Sequence, residues 1–364
     1  MTEQADPSMS HRPGSMPVDV TSTGQATGQA RVFYAAAHVV AASESAVDWD
    51  ATLRFRHRLW ELGLGVADAM DTAQRGMGLN WATARELIQR SGAAAKAVGG
   101  RIACGAATDQ LPAGPSALKD IIAAYAEQLE VAEHAGVLPV LMGSRQLAAA
   151  AAGPADYAEV YGTLLRQVSR PVVLHWLGDM FDPALAGYWG TTDLDEATRH
   201  FLAIVAEHRD KIDGVKVSLL AAEREVAIRR ELPAGVRCYT GDDFNFPELI
   251  ESGSDALLGV FDPLAGPAAQ ALKKLDAGDT EGFRATLDPL VPLARKIFEA
   301  PTQYYKTGVT FLAWLAGYQD RFVMVGGYQT ARDRAHLNAL YQMAAETGLF
   351  PDPELAKERF DALA

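Results

Sequence analysis

Lys216 lies in the apolar run IDGVKVSLL (212–220), between Val215 and Val217. In a strand, alternation places the two valines on one face and Gly214, Lys216 and Ser218 on the other. A lysine is seldom fully buried without a reason, and loss of water disfavours its charged form. The free amine that results is a nucleophile able to condense with a carbonyl and form a Schiff base. A carboxylate partner, or a head group reaching out of a strand end, are the plainer roles for such a residue. Asp242 and Asp243 close the run YTGDD (239–243), where two carboxylates could bind a cation or move protons, or cap the next helix. His175, in PVVLHWLGDMF (171–181), shares a strand end with Asp179. Its imidazole is suited to proton transfer or metal ligation, and equally to a hydrogen-bonded place in the core. Asp71 and Thr72, in AMDTAQRG (69–76), end an earlier run and could hold a polar or anionic end of a substrate. Arg145 follows another run and is a candidate anion clamp.

These residues fall late in short apolar runs, so the runs must be the elements that position them. There are eight: 31–41, 65–73, 101–109, 136–143, 171–178, 212–220, 236–242 and 255–261. Runs that are apolar on both faces suit strands of a buried parallel sheet. Between them lie helical patterns with recognisable ends, such as Asn80 as an N-cap before WATARELIQRSG and Gly63 and Gly136 at C-termini. Eight such units predict an α/β fold, a (β/α)8 barrel over 31–262, whose active site sits at the C-terminal ends of the strands. No GxGxxG follows the first strand, which argues against the doubly wound alternative. After Phe261 the strand signal stops, and the stretches 271–299, 302–317 and 329–348 read as three helices of a C-terminal extension over 263–364. The pair Tyr304–Tyr305 with Lys306, at the start of the second, reads as packing of that helix on the barrel.

The chain of 364 residues carries a formal net charge of −13, which argues against nucleic acid or an anionic membrane as partner. Two cysteines, Cys104 and Cys238, are too few for a disulfide framework or a thiolate zinc site. No stretch is apolar for long enough to span a bilayer, and the N-terminus lacks the pattern of a secretory signal, so a cytoplasmic protein is expected. Residues 1–30, rich in Ser, Thr, Gly, Pro and Gln, are expected to form a flexible tail.

The order of motifs resembles the dihydrodipicolinate synthase/N-acetylneuraminate lyase family of class I aldolases, over about residues 31 to 350. DTAQRGMGLNWATAREL is similar to the family's Gly-Thr-Thr-Gly-Glu turn and helix start, with Thr72 on the first threonine, Ala73 on the second and Arg75 on the glutamate. GGRIACGAATD, IDGVKVS and YTGDD resemble its third, sixth and seventh strands, and YYKTGVTFLAWLAG its C-terminal Pro-x-x-x-Lys helix. The resemblance implies a (β/α)8 barrel with three C-terminal helices, a homo-oligomer (dimer or tetramer) and the Schiff-base lysine at Lys216. It also exposes departures. The fifth strand of the family ends in a tyrosine that shuttles protons, and here that position is His175. The aromatic pair that follows the fourth strand is absent from LMGSRQLAAA.

The expected function is therefore a Schiff-base lyase, aldolase or dehydratase acting on a 2-oxo acid or sugar-derived carbonyl compound, distinct from dihydrodipicolinate synthase itself. Lys216 would be the nucleophile and His175 the general acid/base, an imidazole near neutral pKa being suited to that work. Asp71, Thr72, Arg145, Asp179, Asp242 and Asp243 would meet the substrate, with no cofactor and no metal. Two alternatives are a metal-dependent hydrolase or isomerase using some of Asp71, His175, Asp179, Asp242 and Asp243, and a carbonyl-binding homologue without catalysis.

Overall fold

In the computed structural model each of the eight apolar runs supplies one parallel strand. The structure describes residues 31–363, and the tail expected over 1–30 lies outside them. Strand β1 (Phe33–Ala36) leads into a small hairpin, β2 (Ala41–Ser43) and β3 (Ala46–Val47). Five paired residues with no apolar alternation leave no strand signal, so the sequence reading passed over the hairpin. Helix α1 (Trp49–Glu61) then begins at Asp48, whose carboxylate accepts from the Ala51 amide. Strand β4 (Gly65–Asp68) and helix α2 (Trp81–Val98) follow, and Asn80 caps α2 by accepting from the Thr83 amide.

The alternation continues with β5 (Ile102–Ala106), α3 (Leu118–Ala135), β6 (Leu138–Leu141), the short α4 (Arg145–Ala150) and α5 (Pro154–Gln167). After these come β7 (Val172–Leu177), α6 (Leu194–Glu207), β8 (Ile212–Ser218) and α7 (Ala222–Glu231). Strand β9 (Arg237–Thr240), α8 (Phe246–Glu251), β10 (Asp255–Leu258) and α9 (Ala265–Asp276) complete the eight units. The strand order β1-β10-β9-β8-β7-β6-β5-β4 closes on itself as a barrel.

Alternation along the strands divides the core into two layers. Inside the barrel sit Tyr34, Ala36, Ala67, Ala103, Val140, Val173, Tyr239 and Leu257. Residues of opposite parity, such as Val66, Leu174, Val215 and Val217, face the helices. Tyr34 and Tyr239 meet edge to face inside the barrel, centroids 6.0 Å apart, so the space beneath the strand ends is filled.

The C-terminal extension is cut into more pieces than its three helical patterns suggest. The first pattern breaks at Gly278, where φ is +75°, and Asp279 caps a new helix, α10 (Thr280–Leu287). Pro289 and Pro292 punctuate the turn into α11 (Val291–Ile297), because a proline fits only the first turn of a helix. Helix α12 (Tyr305–Leu315) is buried along its whole length, the mark of a helix packed on all sides. Helix α13 (Arg334–Glu346) starts at the cap residue Asp333, and α14 (Pro353–Asp361) closes the chain. Among the described residues no helix is long and apolar enough to cross a membrane.

Candidate active site

Strands β7 and β8 pair in parallel with His175 opposite Lys216 and Leu177 opposite Ser218. Lys216 and Ser218 share the inner face of β8, and His175 has the inner parity of Val173 on β7. The three side chains line a cavity at the strand ends together with Thr72, Asp243 and Tyr305. The cavity measures ≈ 20 Å³, room for about one water molecule. Phe181, on the turn after β7, also lines it and packs edge-on against Tyr305, centroids 6.3 Å apart.

Room for the lysine depends on Gly241 at the end of β9. A Cβ there would lie 2.7 Å from Lys216 Cε and 2.1 Å from Ser218 Oγ, closer than atoms can approach. Lys216 itself is 8% exposed. Burial lowers its pKa to about 8, against the opposing pull of the Asp243 and Asp71 carboxylates. Asp243 is buried too, and the loss of water raises it to about 7 in spite of the hydrogen bond it accepts from the Val260 amide (2.8 Å). Burial thus shifts both groups toward their neutral forms.

His175 differs from its sequence reading in one respect. Burial, and then the charge of Lys216, hold its pKa well below the ordinary histidine value. It is a neutral imidazole at pH 7, not one poised near neutrality. Its Nε2 lies 3.0 Å from Ser218 Oγ, while its Nδ1 is buried without a hydrogen-bond partner.

Asp71 and Thr72 form a single turn after β4. Thr72 Oγ1 is 2.8 Å from the Tyr305 hydroxyl, and Asp71 Oδ2 is 2.8 Å from Lys306 Nζ. Other residues named from the sequence are not brought into the cavity. Asp242 accepts from the Phe244 and Asn245 amides and from Asn245 Nδ2, so it fastens the turn into α8. Asp179 is exposed on the turn after β7. Arg145 opens α4, pairs with Asp182 at 2.5 Å and packs its guanidinium against Gly76, with its side chain 44% exposed. Arg75, which stands where the family has glutamate, is buried among Asp109, Gln128 and the Gly105 carbonyl. Among the described residues no three His, Cys, Asp or Glu side chains converge as a metal site would require.

Tyr305, whose place in the sequence reads as packing of α12 on the barrel, also lines the cavity. It comes from the first turn of α12 in the extension, and no strand-end argument reaches it.

The family model described as "Protein of unknown function (DUF993)" matches residues 4–364. No curated protein matches the chain in sequence. Solved structures share its fold. The dihydrodipicolinate synthase from Aquifex aeolicus superimposes with a TM-score of 0.69 at 13% identity, covering 88% of this chain and 99% of that one. A prophage protein of the dihydrodipicolinic acid synthase family from E. coli, solved in complex with pyruvate, gives 0.71 at 12% identity with the same coverage. The dihydrodipicolinate synthase from Thermotoga maritima gives 0.67 at 14% identity, again with 88% and 99% covered. The chain thus has the barrel and C-terminal helices of that structural family, in agreement with the resemblance of its motifs.

Proposed function

The chain belongs to the family of proteins of unknown function DUF993, and from the geometry of its site we propose that it is a Schiff-base-forming lyase, an aldolase or dehydratase. Its substrate is a 2-oxo acid or a sugar-derived carbonyl compound, and its reaction differs from dihydrodipicolinate synthesis. The observation that carries the proposal is a buried lysine on the inner face of the sixth barrel strand, beside a buried carboxyl group and lining an internal cavity.

Lys216 in its free-amine form attacks the carbonyl carbon, and loss of water leaves an iminium. The iminium withdraws electrons from the neighbouring carbon, so a C–C or C–O bond one position further along can break. Neutral His175 serves this second stage. In the tautomer whose Nε2–H donates to Ser218 Oγ, 3.0 Å away, Nδ1 is bare and accepts the proton of a substrate hydroxyl as the bond beyond it cleaves. Asp243 holds or returns the proton of the lysine, and Thr72 orients a polar end of the substrate. No cofactor enters the scheme. Since the cavity has room for about one water, substrate entry requires lining side chains to move. The family resemblance further supports a cytoplasmic homo-oligomer.

The test is reductive trapping. Incubated with pyruvate and borohydride, the protein gains the mass of one reduced adduct per chain, and peptide mapping puts it on Lys216. Lys216→Met removes adduct and turnover while the circular dichroism spectrum is kept. An adduct on another lysine refutes the site. Full turnover in the Met variant refutes the mechanism.

A further inference from the structure

Schiff-base formation needs an acid for the departing carbonyl oxygen and a base for the neighbouring carbon. His175 is poorly suited to the acid role. Burial and Lys216 keep it neutral. The carboxyl of Asp243 is tied to the Val260 amide and to the charge of Lys216 itself. Ser218 and Thr72 carry aliphatic hydroxyls, which are far weaker acids than a phenol. Tyr305 is the phenol in the wall of this cavity.

Its position is fixed from several sides. The ring stacks on Phe298, centroids 4.3 Å apart and planes within 15°. The hydroxyl is 2.8 Å from Thr72 Oγ1, so its direction is set. The next residue, Lys306, is paired with Asp71 beside Thr72, which clamps the same turn of α12 to the strand end. The side chain is 3% exposed, and an acid held this way loses little entropy when it acts.

We propose that Tyr305 is the proton-transfer residue of carbonyl condensation, supplied to the barrel by the C-terminal extension in place of a tyrosine on the fifth strand. The proposal rests on the Schiff-base reading of Lys216. The free amine of Lys216 forms the N–C bond and passes one of its two protons to the carbonyl oxygen. Tyr305 gives that oxygen its second proton, the C–O bond breaks, and water leaves. The products of this stage are an iminium carrying one N–H proton and a tyrosinate, with Thr72 donating a hydrogen bond to the phenolate oxygen. The tyrosinate then takes a proton from the carbon next to the iminium. The C–H electron pair becomes the C=C bond of a neutral enamine, and Tyr305 returns to its starting state. Protons and charge balance with no outside donor. Burial and the Asp71 carboxylate hold the phenol protonated in the resting enzyme, so the tyrosinate depends on the iminium charge that forms with it and on the hydrogen bond from Thr72.

The experiment separates condensation from proton transfer at carbon. Wild type and Tyr305→Phe are each incubated with pyruvate, and in parallel with hydroxyacetone as a neutral probe. Trapped adduct is read by intact mass, and exchange of the protons next to the carbonyl in D2O by NMR. Wild type shows both. Tyr305→Phe still yields the Lys216 adduct on long incubation, but its exchange falls by about 10²-fold or more. A change that merely loosened the fold would lower adduct and exchange together. Should Tyr305→Phe fail to fold, Thr72→Val keeps the phenol and removes its partner, and exchange then falls about tenfold with the adduct retained. Exchange at the wild-type rate in a folded Tyr305→Phe or Thr72→Val protein overturns the proposal while the Schiff-base reading stands. Absence of adduct and exchange in wild type with both probes overturns the two together.

Discussion

Lys216 and His175 stand opposite each other on two paired strands, and the charge of the lysine adds to burial in lowering the imidazole. Burial lowers Lys216 to about 8, whereas an ordinary lysine titrates near 10.4. The sign follows directly. Only the neutral amine condenses, so the rate of adduct trapping with cyanoborohydride climbs about tenfold per pH unit up to about 8 and is flat above. A rate that keeps rising past pH 10 would mean that the lysine is not desolvated. The same burial keeps His175 neutral, so it is a base and not an acid at pH 7. His175→Ala is expected to lower turnover by roughly 10²-fold, the usual worth of one general base, with the Lys216 adduct still formed. Turnover at the wild-type level in that variant would make the imidazole a structural residue. At this scale the sequence disclosed residue type and parity. Alternation told which side chains of 212–220 face inward, but nothing local could tell that the imidazole is dry or that Ser218 takes up one of its nitrogens.

At the level of elements, the turn after β4 and the first turn of α12 form one unit, joined by Thr72–Tyr305 and Asp71–Lys306. Lys306 has only 3% of its side chain exposed and Asp71 23%. Removing the lysine leaves a carboxylate short of its partner, and partial access to solvent softens the cost. Lys306→Met should therefore destabilise the fold by about 2 kcal/mol, below the range for fully buried pairs. The double variant with Asp71→Asn should recover most of that loss in urea unfolding, and equal losses in the single and double variants would show that the pair contributes no coupling. The strands were legible because parallel strands buried on both faces are continuously apolar. So were helix ends marked by Asn80, Gly63 and Gly136. The hairpin at 41–47 and the breaks inside 271–299 were not. Two short paired segments have no periodicity, and a proline near a helix start is compatible both with one helix and with two.

In the whole molecule, only Val98 and Leu194 are large apolar side chains that stand exposed among the described residues. Apolar residues are spent on two nested layers, one inside the barrel and one beneath the helices, and on the buried α12. The sequence by itself determined the class of fold, because burial on two faces and amphipathic helices impose different periods on the chain. It also determined the strand that carries Lys216 and the inward parity of that residue. Only the tertiary structure decided which of the polar strand ends converge. Asp243 turns into the cavity while its neighbour Asp242 fastens the turn before α8, and Arg145 turns away to Asp182. Nor could the sequence place Tyr305 beside Thr72, 233 residues earlier in the chain. Periodicity is a local property, set by the backbone geometry of a single element. Contact between a strand end and a distant helix depends on how the elements close upon one another, and desolvation, which sets the chemistry of each group, exists only after they have closed.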